Sequence, residues 1–328
     1  MEKGLPSASI ETLQKRALIL AAIRSFFWER KVLEVETPVL SQYGTVDQHI
    51  NSFSVDSGFD QTKRYLHTSP EFAMKRLLAA GSGSIYQICH CFRDGEKSRQ
   101  HNHEFTMLEW YRTDFSYIEL IREVDDLVRM VLGSLTENYI VEKMETECIT
   151  YQMMFNTYLG INPFSATIEQ LQNCASTNNI NISHESMGEN RDDWLNLLLS
   201  HLIEPQLGKG KLTFVMDYPA SQAALARISP YDVNVAERFE LYIDGVEIAN
   251  GFQELCDSQE QEQRFIADQE KRTQTGKMQI PYDKNFIKAM SQGLPECSGV
   301  ALGVDRLVMF ALGLENIEEV IPFSSEIA

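Results

Sequence analysis

No apolar run in the chain approaches the ~20 residues that a bilayer-spanning helix requires, and the stretch from Met1 to Ile10 lacks the basic-then-apolar pattern of a secretory leader. A cytoplasmic protein is therefore expected. Cations are scarce: Lys plus Arg total 29 against 47 Asp plus Glu, for a formal charge of −18, and no Lys/Arg run stands out. Affinity for a polyanion rests on cationic contacts to phosphate. The deficit points away from nucleic acid and toward a basic protein partner or a small cationic substrate. No low-complexity linker or internal repeat divides the sequence. The six cysteines are irregularly spaced. Cys89 and Cys91 form a C-x-C within the apolar run Ile88 to Phe92, which reads as strand rather than as a metal half-site and suits a reducing compartment.

What is present is an ordinary globular composition. Over 328 residues, 43% are hydrophobic and 23% charged, enough apolar material for a substantial core. Leu13, Ala17, Leu20, Ile23, Phe26 and Phe27 recur at helical spacing over Leu13 to Lys31. An extended segment, Val32 to Pro38, follows. Ser69 as cap and Pro70 at the first helical position predict a second helix that Gly81 stops. Strands are expected over Ile85 to Phe92 and Glu104 to Arg112, then a helix over Tyr117 to Leu132. Polar loops are expected around Ser176 to Asn181 and Ser186 to Asp193. A hairpin spans Arg238 to Phe252 about the turn pair Asp244-Gly245. A helix over Ser258 to Thr275 and a Gly-rich strand-to-helix junction, Ser298 to Leu312, complete the reading. Antiparallel strands with helices set to one side predict an α+β fold.

Three constellations carry chemistry. In the strand from Glu104, alternation puts Phe105, Met107, Glu109 and Tyr111 on one face. An acid and a phenol two residues apart suit an ammonium group, Phe105 suits a flat base, and the fork of Arg93 suits a phosphate or carboxylate. Read singly, these residues also fit a salt-bridged acid, a core ring and a surface cation. In the hairpin, Tyr242 faces Glu247 and Glu240 lies diagonal to it, ~7–8 Å away by Cα, near enough for two carboxylates to share a divalent cation. A bulge at Asn250-Gly251 would re-aim Asn250, Phe252 and Glu254 to the same side. Two solvated acids are the plainer alternative. Finally, the small residues Gly299, Ala301 and Gly303 allow close approach to one strand face, and Arg306 follows near a helix start that favours an anion.

These blocks, in this order, resemble the three signature motifs of class II aminoacyl-tRNA synthetases over nearly the whole chain. Val32 to Pro38 is similar to motif 1, which builds a dimer interface, Phe92 to Arg112 to motif 2, and Gly303-Val304-Asp305-Arg306 to motif 3. His101-Asn102-x-Glu104-Phe105-Thr106-Met107 with Glu109 and Tyr111, and Glu247 to Leu255, resemble the lysine branch. The catalytic pattern starts almost at once, so the anticodon-reading β-barrel of that branch is not expected. The chain is thus similar to the truncated ligase family that joins (R)-β-lysine to a lysine of elongation factor P, and a single catalytic domain over 1–328 is expected. Thr68-Ser69-Pro70-Glu71 and Ala301, where tRNA-charging relatives carry glycine, agree with it.

The resemblance implies ATP and Mg²⁺ as cofactors, a homodimer, and no tRNA. Arg93 and Arg306 would be the catalytic cations, at the α- and γ-phosphates. Asp94, Gly95, Asn102, Phe105, Glu247, Ile248 and Gly303 would complete the ATP site, with Asn102 and Phe105 at the adenine. Glu240 and Glu247 would hold Mg²⁺. Ser69, Pro70, Glu71, Glu109, Tyr111, Asn250, Glu254 and Ala301 would line the amino-acid pocket. Gly95 stands where motif 2 has an acid: either Glu96 takes that place after a local shift, or adenine binding rests on backbone atoms. A minimal tRNA-charging enzyme and an inactive amino-acid sensor are the alternatives, and the retained Arg93, Arg306, Glu240 and Glu247 speak against the second.

Overall fold

A computed structural model describes residues 4–135, 144–180 and 188–328. It divides into two compact units, one of Met1–Val141 with Glu254–Ala328 and one of Glu142–Gln253. No helix among the described residues is long and apolar enough to cross a membrane. The strands in chain order are β1 (Leu33–Glu34), β2 (Leu40–Ser41), β3 (Ser54–Asp56), β4 (Lys63–Leu66), β5 (Ile85–Phe92), β6 (Glu104–Thr113), β7 (Glu145–Thr150), β8 (Lys211–Pro219), β9 (Val235–Ile243), β10 (Val246–Gln253) and β11 (Cys297–Gly303).

In the first unit β5 pairs in parallel with β1 and antiparallel with β6, and β6 pairs antiparallel with β11. A small antiparallel sheet runs β2-β4-β3. Alternation along β6 decides which face carries chemistry. Its even-numbered residues meet helices: Trp110 packs 5.4 Å from Phe27 of the Ile10–Glu29 helix and donates its indole N–H to Glu123 of the Tyr117–Leu135 helix. The Thr106 hydroxyl accepts from Arg16, and its backbone N–H donates to Asp305, which pairs with Arg16 at 2.6 Å. That buried pair ties the first helix to the Val304–Leu312 helix. The odd-numbered residues of β6 therefore project from the opposite face.

Helix ends depart from expectation for local reasons. The first helix starts at Ile10 rather than Leu13, because the Ser9 side chain caps it by accepting from Thr12 N–H, and it ends at Glu29, two residues before Lys31 at φ +56°. Only Leu33 and Glu34 of the Val32 to Pro38 segment enter the ladder, as an edge strand. The second helix spans Glu71–Ala79 with Pro70, not Ser69, at the N-cap. Ser69 still accepts from Glu71 N–H, while its own proton goes to Glu109. Gly81, at φ +87°, follows the helix as its stop.

In the second unit β7 and β8 run parallel, and β8, β9 and β10 are antiparallel. Helices Tyr151–Leu159, Ile168–Thr177 and Arg191–Leu198 supply Tyr151, Phe155, Leu171 and Trp194 to a core shared with Tyr218 and Tyr242. Ser176 and Thr177, expected in a loop, are the last turn of one helix, and Arg191 to Asp193 are the first turn of another, capped by Asn190. The rest of those two expected loops falls partly on residues 181–187, outside the described residues. Asp244 and Gly245, at φ +48° and +80°, form the expected two-residue turn between β9 and β10. The bulge lies at Ile248, not at Asn250-Gly251: Glu247 pairs with Tyr242, Ala249 with Leu241 and Asn250 with Glu240.

Candidate active site

The odd-numbered residues of β6 form the floor of an acidic cluster in the first unit. Glu109, 2% exposed, accepts from the Ser69 hydroxyl at 2.7 Å and from the Tyr111 hydroxyl at 2.6 Å. Cross-strand partners share a face, and Ala301 is paired with Glu109 and Gly299 with Tyr111. A Cβ at Gly299 would fall inside the contact shells of the Tyr111 ring and the Glu254 carboxylate, so any side chain there would displace them. Gly303 differs: a Cβ would sit 3.6 Å from the nearest Arg306 side-chain carbon, an ordinary contact. The small residue at 299 thus makes room for the protein's own Tyr111 and Glu254, whereas packing does not force the one at 303.

Lys75 is the residue that sequence reasoning misses. It lies one turn after Glu71 in the Glu71–Ala79 helix, is 1% exposed, and pairs with Glu71 at 2.7 Å and Glu254 at 2.5 Å. The signal was the i, i+4 spacing of Glu71 and Lys75, which in a sequence is also the mark of a solvated helix face. Burial alone would lower the ammonium's pKa, but the two carboxylates more than offset it and hold Lys75 charged. The acids respond oppositely. Burial, reinforced by the Glu71 charge, pushes Glu109 up to about 8 against the hydrogen bonds from Tyr111 and Ser69. Burial pushes Glu254 up to about 7, against the attraction of Lys75. Glu71, Glu109 and Glu254 carry three negative charges when ionised and Lys75 one positive, a deficit of two positive charges.

Along the same face toward the start of β6, the Arg93 guanidinium lies 5.1 Å from the Phe105 ring centroid. Its Nε is buried and has no hydrogen-bond partner, an orphaned donor of the kind that a bound anion satisfies. Asp94 and Gly95 form an exposed turn with Gly95 at φ +83°, and the acid beside Arg93 is Glu96, 3.7 Å away. Arg306 reaches back over the loop: its Nη2 lies 2.6 Å from His101 Nε2. A guanidinium can only donate, so His101 accepts there and turns its Nδ1–H to the Ser98 hydroxyl at 2.7 Å. Burial and then the Arg306 charge lower the His101 pKa, which keeps it neutral for that role. Asn102 is engaged by the chain itself, donating to Glu104 O and accepting from Ser325 N–H. One amide proton remains to it.

In the second unit the bulge at Ile248 restores parity, so Glu247 and Asn250 share the face of Tyr242, Glu240 and Arg238. Glu240 is buried, accepts from the Tyr218 and Tyr242 hydroxyls, each at 2.6 Å, and pairs with Arg238. Asn250 accepts from Arg238 at 3.3 Å. Three of the roughly four lone-pair positions of the Glu240 carboxylate are occupied. One remains, and Glu247 offers a second carboxylate on the same face; two hard oxygen donors are of the kind that Mg²⁺ takes.

A family model described as tRNA synthetases class II (D, K and N) matches residues 6–326. The chain belongs to that family. Among its relatives are proteins named elongation factor P–(R)-β-lysine ligase. That of Histophilus somni is 49% identical over 331 residues, covering 100% of this chain and 99% of the relative. That of Salmonella paratyphi B is 50% identical over 324 residues, covering 97% of this chain and 96% of the relative. Family membership makes the chain an amino-acid-activating enzyme by class. Within this class II chain, Asp305 of the Gly303-Val304-Asp305-Arg306 block does not reach the chemistry: it is a buried anchor for Arg16 and for the backbone of Thr106.

Proposed function

We propose that this enzyme activates (R)-β-lysine with ATP and transfers it to a lysine side chain of elongation factor P. The observation that carries the reading is the cluster of Glu71, Glu109 and Glu254, in which a single buried lysine pairs with Glu71 and Glu254. Of the amino acids in the family's name, only lysine brings a second amine. A diamino acid supplies two ammonium groups, which match the deficit of two charges. The name shared by relatives at half identity over their full length supports β-lysine over α-lysine and a protein acceptor over tRNA. The formal charge of −18 supports the same choice of acceptor.

The first step joins a carboxylate oxygen of the amino acid to the α-phosphorus of ATP and breaks the bond to the β-phosphate, releasing pyrophosphate. Arg93 holds the carboxylate and the α-phosphate together, and Arg306 holds the far phosphates, with neutral His101 fixing its guanidinium. Phe105 gives the adenine a flat surface. Glu240 and Glu247 would hold Mg²⁺, whose contribution is to neutralise phosphate charge. Glu109 with Ser69 and Tyr111, and Glu254 with Glu71, hold the amines in place. In the second step the neutral lysine amine of the acceptor attacks the acyl carbon, the carbon–oxygen bond to AMP breaks, and AMP leaves while the nitrogen gives up one proton to the departing phosphate or to solvent. A homodimer built on the motif 1 segment is supported by the exposed apolar side chains of Trp28, Leu33, Val39 and Leu40.

Intact mass spectrometry tests the reading. Purified protein is incubated with ATP, Mg²⁺, (R)-β-lysine or α-lysine, and either elongation factor P or bulk tRNA. The expected result is one lysyl mass added to elongation factor P, faster with the β isomer. Stable charging of tRNA with no gain on the protein would overturn it.

A further inference from the structure

Beside the amine pocket the same sheet face carries side chains that this chemistry does not use. Cys89 and Cys91 are alternate residues of β5, so both thiols leave the strand on one face, and their Sγ atoms lie 3.9 Å apart. They pair in register with Met107 and Phe105 of β6, on the face that carries Glu109. His67, just past the end of β4, brings its ring to the same place: one ligand atom from each of His67, Cys89 and Cys91 lies within 4.8 Å of the others. Among the described residues no other group of three or more such side chains converges this way. The C-x-C reads as plain strand in the sequence because its third partner, His67, lies past the end of another strand.

The geometry is that of a soft-metal site. A tetrahedral ion with metal–sulfur bonds of ~2.3 Å holds two sulfurs about 3.8 Å apart, close to the spacing found here. His67 Nε2 lies 2.7 Å from the carbonyl oxygen of His90. That oxygen can only accept, so the proton is on Nε2 and Nδ1 keeps its lone pair. Metal-ligating imidazoles are oriented by this same bond to a backbone carbonyl. Met107 Sδ lies 3.9 Å from Cys91 Sγ, adding a thioether to the wall. His67 and Cys91 are buried and Cys89 is half-buried, so the group is reachable and sheltered. Two thiols, an imidazole and a thioether select thiophilic ions over Mg²⁺.

We infer that His67, Cys89 and Cys91 form a binding site for one thiophilic metal ion of the zinc type, separate from the Mg²⁺ acids. Occupancy would clamp the turn that carries Ser69, two residues from His67, against β5, and so bear on the amine pocket.

The test uses full-length protein, stripped with chelator and kept reduced, titrated with Co²⁺ as the probe and then with Zn²⁺. One equivalent of Co²⁺ per chain should produce sulfur-to-cobalt charge-transfer absorption that one equivalent of Zn²⁺ bleaches. Cys89→Ser and Cys91→Ser should each weaken Zn²⁺ binding by ~100-fold or more, a loss at least as large as that for an outer orienting partner. Cys174→Ser should leave it unchanged. Zn²⁺ should also protect Cys89 and Cys91 from alkylation in peptide mapping of the unmutated protein, which decides the matter even where a variant fails to fold. No sulfur–cobalt band at saturating Co²⁺, a band that survives Cys89→Ser with Cys91→Ser, or alkylation of both cysteines unaffected by Zn²⁺ would each overturn the inference.

Discussion

Replacing Glu109 with Gln should make the enzyme more stable in mild alkali and worse at binding its amino acid. The carboxyl is 2% exposed and pushed up to about 8, first by burial and then by the Glu71 charge. In the unfolded chain it titrates near the ordinary glutamate value of 4.5. Between those values the folded protein holds a proton that the unfolded chain has lost, so stability must fall as pH rises through that window. At pH 9 both states are ionised, and the folded state carries the full cost. At ~1.4 kcal/mol per unit this is on the order of a few kcal/mol. Glutamine removes the charge but not the shape. It leaves one of the Ser69 and Tyr111 hydroxyls facing an amide N–H instead of an oxygen, a mismatch of about 1–3 kcal/mol unless that hydroxyl turns to accept.

The balance predicts a net gain of about 2 kcal/mol at pH 9 that shrinks to nothing or reverses near pH 5. Urea denaturation at several pH values reads it directly. In parallel, amino-acid-dependent exchange of pyrophosphate into ATP should show KM for β-lysine raised ~30-fold or more, the loss of a charged partner to a buried ammonium, while KM for ATP stays the same. A variant that loses stability equally at every pH, or that binds β-lysine unchanged, would refute the placement of Glu109 as a buried acid awaiting a cation.

Lys75→Met should destabilise the fold by about 3–5 kcal/mol, because Glu71 and Glu254 lose the buried ammonium that pairs with both; a loss below 1 kcal/mol in the same denaturation assay would mean the pair is solvated. Gly299→Ala should raise KM for the amino acid at least tenfold by displacing Tyr111 and Glu254, with an overpacking cost of about 1–3 kcal/mol; unchanged kinetics would show that both side chains yield freely. Ala301→Gly, opposite Glu109 in register, should shift preference toward α-lysine, measured as the ratio of kcat/KM for the two isomers. Arg93→Ala should slow adenylation by ~10²–10³ with little change in stability, read by single-turnover release of pyrophosphate.

How much of this was legible before the structure depends on the range over which each feature is encoded. Alternation along β6 is a two-residue property, so Phe105, Glu109 and Tyr111 could be placed on one face from sequence, and β11 could be recognised as the small-residue strand beside them. The Asp244-Gly245 turn was equally local, but the bulge was assigned to the wrong residue. Asn250-Gly251 carries the composition of a bulge, whereas the irregularity falls at buried Ile248. A buried aliphatic residue gives no compositional sign of being unpaired. The outcome, with Asn250 returned to the Glu247 face, is the same from either position, because any single inserted residue reverses the parity of all that follow.

Lys75 and His67 were missed for a different reason. Each acquires its role from partners far away in the chain, Glu254 in one case and Cys89 with Cys91 in the other. A lysine four residues after a glutamate reads as an exposed pair on most helices. Only the closing of Glu254 over it makes the ammonium a buried counter-charge shared by two acids. On the proposed function, preference for a diamino substrate would be encoded less by the acids than by the fact that a single lysine falls short of neutralising them. A second internal cation would cut the deficit to one charge, which a single amine could fill. For that reason Lys75 is better regarded as setting the charge that the substrate must complete than as a contact in its own right.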